Sequence, residues 1–455
     1  MSGETAKLDT PVSARKIALA SAIGTTIEWY DFLIYATAAS LVFGKIFFPT
    51  GSALVSSLLA VSTIGAGFLA RPLGAIVLSN YGDKVGRKSL LVGTLGAMGI
   101  ATTLIGLLPT YAQIGIWAPI LLVLLRLVQG IAVGGEWGGA VLMAIEHAPR
   151  NRRGFYGSLV QIGFPVGMAL GTFSFLLLAL LPEPHFLSWG WRIPFLVSAV
   201  LVVVGLVIRL KVTESPEFEA SREKGELVKY PVWEAVRRHP KNLLIGLGAR
   251  ITELSWIYVL TIFALEFATH TLHLPRTLVL AAIGIGALLE LVTVPLCGAL
   301  SDRVGRRTIY VAGSVAAGLL AFPVFWAIAS REGWAVVLAF TIGMAVGHGV
   351  MYGVQASFLS EMFGANVRYS GASLGYQLAA PIGGGLVPVL ATWIVGVSGG
   401  TWGVSVMMIV LALITVVAVY FAKETAAGKA GGTSSEHADS AQSVAASEEE
   451  ITVTP

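Results

Sequence analysis

Twelve runs of mostly apolar residues, each long enough to cross a lipid bilayer as a helix, dominate this sequence of 455 residues. A spanning helix needs about 20 such residues. Only 12% of the residues are charged, whereas a soluble domain carries about 25% charge. We therefore predict an all-α integral membrane protein with twelve transmembrane helices. The runs cover residues 18–42, 54–80, 90–108, 118–146, 154–181, 191–210, 243–269, 277–300, 308–329, 334–362, 370–396 and 402–422.

The distribution of lysine and arginine predicts which loops face the cytoplasm. If the N-terminus is cytoplasmic, the cytoplasmic segments up to Arg368 hold 21 basic residues and the outward-facing loops hold four. Cytoplasmic loops carry the excess of basic residues in membrane proteins, so we expect both termini in the cytoplasm. The first run contains two acids and lacks a small-residue cleavage site. We therefore expect it to remain as a spanning helix.

The loops after the second and eighth runs have closely similar sequences. Residues 82–88 read GDKVGRK, and residues 301–307 read SDRVGRR, 219 positions later. Glu146 and Arg153, on either side of the loop after the fourth run, recur at the same spacing as Glu361 and Arg368. The chain therefore consists of two similarly oriented halves. We predict an N-terminal six-helix half at 1–210, a cytoplasmic linker at 211–241, a C-terminal six-helix half at 242–422 and a disordered cytoplasmic tail at 423–455.

Parallel six-helix repeats joined by a cytoplasmic loop are typical of secondary transporters, in which the substrate binds between the halves near the membrane midplane. The sequence has no phosphate-binding glycine loop with its lysine, so ATP-driven transport is not expected. It has no metal-ligand cluster, and we predict neither a metal nor a cofactor. A membrane enzyme would need a nucleophile or metal near an interface, and a sensor would need a folded signalling domain; the sequence favours neither.

Glu28 and Asp31 lie deep inside the first apolar run. A charged side chain at that depth costs roughly 2.5–3.5 kcal/mol, so such residues usually face a cavity, a partner charge or a substrate. Three residues apart, they share one helix face. Burial disfavours an ionised carboxyl group and a nearby arginine favours it, so such a group can bind and release a proton. We predict that Asp31, with Glu28, carries protons; the alternative is a static buried ion pair.

Three arginines also fall within apolar runs: Arg71, Arg126 and Arg250. The guanidinium of Arg126, near the midplane, can hold a carboxylate with two hydrogen bonds, either from the substrate or from Asp31 between protonation events. A structural role is the alternative. Arg250 stands 219 positions after residue 31 and shares a helix face with Glu253. It either binds a substrate carboxylate or forms an ion pair with Glu253.

Other polar residues within or beside the runs are candidates for binding the substrate or for gating. Glu290 and His348 also lie mid-span, although a lone histidine is more often a packed, hydrogen-bonded residue. The loop charges can latch the cytoplasmic side by ion pairs, or they merely reflect the positive-inside distribution. The candidate substrate-binding residues are Arg126, Arg250, Glu253, Tyr30, Tyr35, Gln161, Tyr376 and Gln377. The candidate gating residues are Asp83, Arg87, Asp302, Arg306, Glu136 and Glu361.

The repeated loops resemble the signature loop of the major facilitator superfamily, and RLVQG at 126–130 resembles its proton-linked arginine motif. The segments EWYDF at 28–32, GGEWGG at 134–139, WGWRIPF at 189–195 and ESPEF at 214–218 resemble the metabolite:proton symporter family. RITEL at 250–254 is similar to the shikimate-transporter branch.

The resemblance implies proton-coupled uptake of a small organic acid, such as shikimate or a related mono- or dicarboxylate, across the bacterial inner membrane. Proton symport of zwitterionic osmolytes such as proline or betaine is the alternative. Osmolyte carriers of this family often end in a coiled coil, and residues 424–455 contain no heptads. The expected partners are the organic anion, protons and lipid. We expect a monomer and no nucleic-acid partner.

Overall fold

The computed structural model describes residues 14–178, 180–211, 231–364 and 367–426, except for the side chains of 40, 53–54, 57–58, 61, 79–80, 82–85 and 87. Helices make up most of these residues, and none of them forms a strand. The twelve spanning helices are α1 (Ala14–Ile46), α2 (Ala53–Val85), α3 (Arg87–Leu107), α4 (Trp117–Glu146), α5 (Arg150–Leu178), α6 (Gly190–Leu210), α7 (Pro240–Thr271), α8 (Arg276–Val304), α9 (Arg306–Ala329), α10 (Gly333–Glu361), α11 (Arg368–Ser398) and α12 (Trp402–Tyr420).

Eleven of these helices are long and apolar enough to cross a membrane by length and composition. In the remaining helix, α2, the apolar stretch covers Ser62–Leu78. The predicted twelve-helix membrane architecture is confirmed. Side chains on the outer surface are apolar, as lipid contact requires, and include Leu180, Leu319 and Trp334, each more than two-thirds exposed.

The two halves are separated by a segment that the structure describes only at its ends. Helix α6 ends at Leu210, residues 212–230 lie outside the described residues, and a short helix, Pro231–Arg238, precedes α7. Helix α7 begins at Pro240, slightly before the predicted start at 242, because proline is favoured in the first turn of a helix. Of the predicted tail, only 423–426 is described.

Close helix contacts depend on glycine. A Cβ atom on Gly134 of α4 would lie 2.2 Å from the carbonyl oxygen of Arg71 in α2, and one on Gly74 would lie 2.1 Å from that of Ile131. The backbones of α2 and α4 therefore touch, which is how small residues stabilise helix pairs in lipid. This contact places Arg71 and Arg126 on adjacent helices facing the protein interior.

Several spanning helices contain π-helical segments at their centres. In α10 the segment Gly343–His348 ends at His348. The indole of Trp256 in α7 donates a hydrogen bond to the carbonyl of Gly343. Other π-helical segments occur at Val259–Ala264 in α7 and at Ala380–Leu386 in α11. Such segments often occur at functional sites, and here they lie on helices that line the space between the halves.

Candidate functional site

Asp31 lies in the interior of the N-terminal half, where two hydroxyl groups surround its carboxyl group. Its side chain is 2% exposed. Oδ1 accepts a hydrogen bond of 2.5 Å from Ser198 in α6, and Oδ2 accepts one of 2.7 Å from Thr102 in α3. Asp31 therefore joins three helices through neutral donors.

Arg126 reaches Asp31 only indirectly, through two polar side chains. Nη1 of Arg126 donates to Oε1 of Gln129 at 3.1 Å, and Nε2 of Gln129 donates to the hydroxyl of Thr102 at 2.6 Å. The guanidinium carbon lies 4.2 Å from the ring centre of Tyr35. Nε of Arg126 has no hydrogen-bond partner among the described residues. The arginine thus retains a buried, unused donor.

Glu28 and Arg71 complete this polar region. Glu28 is 5% exposed, and its Oε2 has no hydrogen-bond partner among the described residues. The guanidinium of Arg71 lies 4.7 Å from the ring centre of Phe68 and 5.1 Å from that of Phe32. Glu28, Asp31, Arg71 and Arg126 line one small cavity with room for about one water molecule. Four of the charged residues predicted within the spans of this half are thus neighbours in space.

The C-terminal half holds a second polar cluster, centred on Glu253 in α7. Oε2 of Glu253 accepts from Nη1 of Arg250 at 3.0 Å and from Nε2 of Gln355 at 2.7 Å. Oε1 faces Nε2 of His348 at 2.9 Å, and Nδ1 of the same ring faces Oε1 of Glu290 at 2.6 Å. The predicted pair of Arg250 and Glu253 is therefore part of a network over three helices, α7, α8 and α10.

Aromatic side chains join the C-terminal cluster to the N-terminal half across the boundary between the halves. The guanidinium of Arg250 lies 3.2 Å from the ring centre of Tyr376. The ring of Trp137, in the N-terminal half, stacks on the ring of Tyr376 with a centre-to-centre distance of 3.6 Å. Trp137 donates a hydrogen bond of 3.0 Å to Gln161, whose amide donates to the carbonyl of Tyr352 at 3.4 Å. Arg250 therefore lies at the interface of the halves.

The other predicted substrate-binding residues already have protein partners. Tyr30 donates to the carbonyl of Pro194 at 3.1 Å, and Tyr35 donates to the hydroxyl of Thr63 at 2.6 Å. Gln377 donates to the carbonyl of Val133 at 3.3 Å, but its Oε1 has no hydrogen-bond partner among the described residues. Gln377 thus bridges the halves with an acceptor to spare.

At the cytoplasmic side, Asp302 of α8 joins the two halves. Its carboxylate accepts hydrogen bonds from the backbone N–H groups of Gly154 (2.8 Å) and Phe155 (2.9 Å), at the start of an α-helical segment of α5. Arg306 contacts Asp302 at 2.8 Å and Glu361 at 3.3 Å, and all three belong to the C-terminal half. Within this group of three, it is therefore Asp302, and not Arg306 or Glu361, that contacts the other half.

The remaining candidate gating residues have different surroundings. Glu136 of α4 is fully buried and forms an ion pair of 2.5 Å with Arg209 at the end of α6, within one half. The side chains of Asp83 and Arg87 lie outside the part of the chain that the structure describes. Arg368 contacts Glu146 at 3.2 Å across the boundary between the halves. This contact joins the acid of one repeated loop to the arginine of the equivalent loop in the other half, whereas the sequence repeat placed Glu146 with Arg153 and Glu361 with Arg368.

Several residues of these clusters carry no clear signal in the sequence. Thr102, Ser198 and Gln355 are single polar residues within apolar runs, where Ser and Thr commonly bond to their own helix backbone. Gln129 belongs to the RLVQG motif but was not predicted to contact Thr102. Among the described residues, no group of His, Cys, Asp and Glu has the arrangement of a metal site.

Comparisons with known proteins agree with this architecture. The sequence model of the Major Facilitator Superfamily matches this chain at residues 21–375 and at residues 245–447. The shikimate transporter of Escherichia coli is 44% identical, over 90% of this chain and 95% of the relative. The inner membrane metabolite transport protein YhjE of Escherichia coli is 40% identical, over 91% and 96%. The proline/betaine transporter of Salmonella typhimurium is 36% identical, over 90% and 84%.

Solved structures show the same fold. The structure of the proton:xylose symporter XylE superposes on this chain with a TM-score of 0.73 and is 18% identical in sequence. The match covers 90% of this chain and 96% of that structure. A partially occluded inward-open form of XylE from Escherichia coli has a TM-score of 0.65 at 17% identity, over 90% and 98%. At these identities the likeness supports the twelve-helix fold in two halves and nothing finer.

Proposed function

The chain belongs to the Major Facilitator Superfamily, as a multi-pass transporter of the bacterial inner membrane and not an enzyme, and on that premise we propose that it couples uptake of a small organic acid to protons. The substrate we propose is shikimate or a related mono- or dicarboxylate. The proton site is Asp31, assisted by Glu28. The carboxylate of the substrate binds Arg126, Arg250 or both.

The observation that carries this proposal is the surroundings of Asp31. The hydroxyl of Thr102 lies 2.7 Å from Asp31 and 2.9 Å from the carbonyl of Met98, and it also accepts from Gln129. A hydroxyl has one hydrogen and two lone pairs. When Asp31 is ionised, Thr102 donates to it; when Asp31 is protonated, the hydrogen of Thr102 turns to Met98 and the carboxyl donates instead. Rotation of one hydroxyl thus accommodates both protonation states.

Two buried guanidinium groups support an anionic substrate. Arg126 and Arg250 belong to different halves, are 4% and 1% exposed, and each has an Nε without a partner among the described residues. An unused buried donor is costly, and a substrate carboxylate would supply the missing acceptor. Because the two arginines approach from opposite halves, a substrate held by both would couple binding to movement of the halves.

Gating by Asp302 and Arg306 completes the proposed cycle. The bonds from Asp302 to the backbone of α5 hold the cytoplasmic ends of the halves together, and they must break when the protein opens to the cytoplasm. Arg306 and Glu361 hold Asp302 in position from within its own half. In the same proposal, Glu136 stabilises the packing of α4 on α6 and does not bridge the halves.

A zwitterionic osmolyte is the second candidate, since the relatives include proline/betaine transporters. Quaternary ammonium groups bind on the faces of aromatic rings. Here guanidinium groups already lie against the central rings: Arg71 against Phe32 and Phe68, and Arg250 against Tyr376. This arrangement favours an anion over a betaine.

The experiment that tests the proposal uses Asp31→Asn in proteoliposomes, with labelled shikimate as the probe. We expect pH-gradient-driven accumulation to be lost while exchange of internal for external shikimate continues, since exchange requires no net proton movement. Thr103→Ser on the neighbouring helix, outside the Asp31 network, is the control. Undiminished accumulation in Asp31→Asn would refute the assigned proton site, and competition by betaine but not by organic acids would refute the substrate class.

A further inference from the structure

The C-terminal half contains a buried carboxyl–imidazole–carboxyl cluster that the cycle above does not use. His348 lies between Glu253 and Glu290, with N···O distances of 2.9 and 2.6 Å. The three side chains are at most 1% exposed. We propose that these residues form a second proton-binding site, in addition to Asp31, and that its protonation frees Arg250 to bind the substrate anion. The second part rests on the proposed function.

The geometry requires an additional proton. A neutral imidazole carries one N–H, and an ionised carboxylate can only accept hydrogen bonds. Two N···O contacts at hydrogen-bond distance need two hydrogens. Either the ring is doubly protonated, or one carboxyl group carries the second proton. In both cases the cluster holds one proton more than a neutral histidine between two carboxylates, and loss of that proton breaks one of the two bonds.

The proton belongs on the side of Glu290. Glu253 has three donors, Arg250, Gln355 and His348, so it is well satisfied as a carboxylate. Oε2 of Glu290 has no hydrogen-bond partner among the described residues, which leaves His348 as the one partner the structure gives this carboxyl group. With the proton present, the charges of Arg250, Glu253, His348 and Glu290 sum to zero. Without it, the buried cluster carries a net negative charge, which costs energy in apolar surroundings.

Other polar groups around the cluster do not replace this proton. The hydroxyl of Tyr310 in α9 receives a bond from Gln355, and the ring of Tyr352 stacks on His348 at 4.7 Å. The ring of Phe164 from the N-terminal half lies 5.3 Å from His348. Arg250 is the nearby cation, and Tyr376 separates it from Trp137.

The link to Arg250 gives the proposed site its function. When the cluster loses its proton, the extra negative charge on the cluster attracts Arg250 more strongly. When the cluster is protonated, His348 and Glu290 together carry no net charge, so Arg250 faces only the charge of Glu253 and its unpartnered Nε is available for a substrate carboxylate at the interface. Proton and anion therefore favour each other's binding, and by linkage the effect is reciprocal.

The proton itself is tested without any substrate. We suggest magic-angle-spinning NMR of the full-length protein in lipid, with ¹⁵N-labelled histidine and ¹³C-labelled glutamate, and His348→Gln and Glu290→Gln to assign the signals. We expect the ring of His348 and the carboxyl of Glu290 to titrate together between about pH 5 and pH 10. If neither signal changes over that range, the cluster is a static ion pair and the inference is wrong.

Its role in coupling is tested with labelled shikimate in proteoliposomes. One coupled proton contributes about a tenfold accumulation for each pH unit of gradient. We expect Glu290→Gln, whose amide can donate to Nδ1 of a neutral His348 and so removes the need for the additional proton, to lower accumulation about tenfold per pH unit while exchange persists. His185→Gln on the outer surface should match wild type. Wild-type accumulation in Glu290→Gln would overturn the coupling. Failure of wild type to accumulate shikimate would instead refute the proposed function, and the NMR titration would still decide the site.

Discussion

The contact between Asp302 and the start of α5 makes the sharpest prediction about the conformational cycle. Replacing Asp302 with asparagine leaves one oxygen acceptor for two backbone N–H groups and removes the negative charge from a helix N-terminus. The bond between Asp302 and Arg306 lies within one half. We therefore expect it in both conformations, and its weakening would not change the equilibrium between them. One charge-assisted hydrogen bond is worth roughly 1.5–3 kcal/mol, and the helix-terminus effect adds about 0.5.

The substitution should therefore shift the equilibrium towards the form open to the cytoplasm by about 2–3.5 kcal/mol, which is roughly 30- to 300-fold. The assay is pulsed electron–electron spin resonance between labels on Lys211, at the end of α6, and Thr308, in α9. Both positions are exposed on the cytoplasmic side, and Cys297 must first be replaced by serine.

The expected result is a longer distance population that is minor in wild type and dominant in Asp302→Asn. Glu183→Gln is the matched control, because Glu183 pairs with Lys45 on the outer side within one half, at 2.6 Å. An Asp302→Asn distribution identical to that of wild type would refute the assignment of this contact as a latch.

Three further predictions concern packing and buried polar groups, each measured by thermal unfolding of the purified protein in detergent. Thr102→Val removes the partner of Oδ2 of Asp31 and of Nε2 of Gln129 and should cost about 1–3 kcal/mol, whereas Thr103→Val, which removes only a bond within its own helix, should cost less. Arg209→Met leaves the carboxylate of Glu136 buried and unpaired and should cost about 3–5 kcal/mol, whereas Arg238→Met, in an exposed pair, should be neutral. Gly134→Ala forces α2 and α4 apart and should prevent stable folding, whereas Gly93→Ala, with open space at its Cβ, should be tolerated. Equal effects in any variant and its control would contradict the corresponding contact.

The fold could be predicted from the sequence because lipid imposes simple rules. Apolar runs set the number of helices, and basic residues set their orientation. The repeat of GDKVGRK as SDRVGRR established the two halves. The costs of burying Glu28, Asp31, Arg126 and Arg250 also made these residues visible as candidates.

The connections within the site could not be predicted in the same way. Asp31 was one of two carboxylates proposed to pair with Arg126, but Thr102 and Gln129 lie between them. Such neutral residues within a span look like ordinary helix residues. His348 looked like an isolated packed histidine because Glu253 and Glu290 are 95 and 58 residues away in sequence. Helix packing, which sequence periodicity does not determine, brings the three together.

The predicted gating residues show the same limit. Their charges and loop positions were evident in the sequence, but not which contacts cross the boundary between the halves. Asp302 reaches backbone N–H groups of α5, whereas Glu136 and Glu361 pair within their own halves. A backbone partner has no signature in the sequence, so a helix N-terminus facing Asp302 could be recognised only in the structure.

Substrate-dependent proton movement tests the central claim most directly. Shikimate is added outside sealed proteoliposomes that contain the protein and a trapped pH-sensitive dye, with no gradient imposed. We predict acidification of the interior that depends on shikimate, is absent from protein-free liposomes and is lost in Asp31→Asn. Uptake of labelled shikimate without acidification would contradict proton coupling, and acidification on addition of betaine but not of any organic acid would contradict the proposed substrate class.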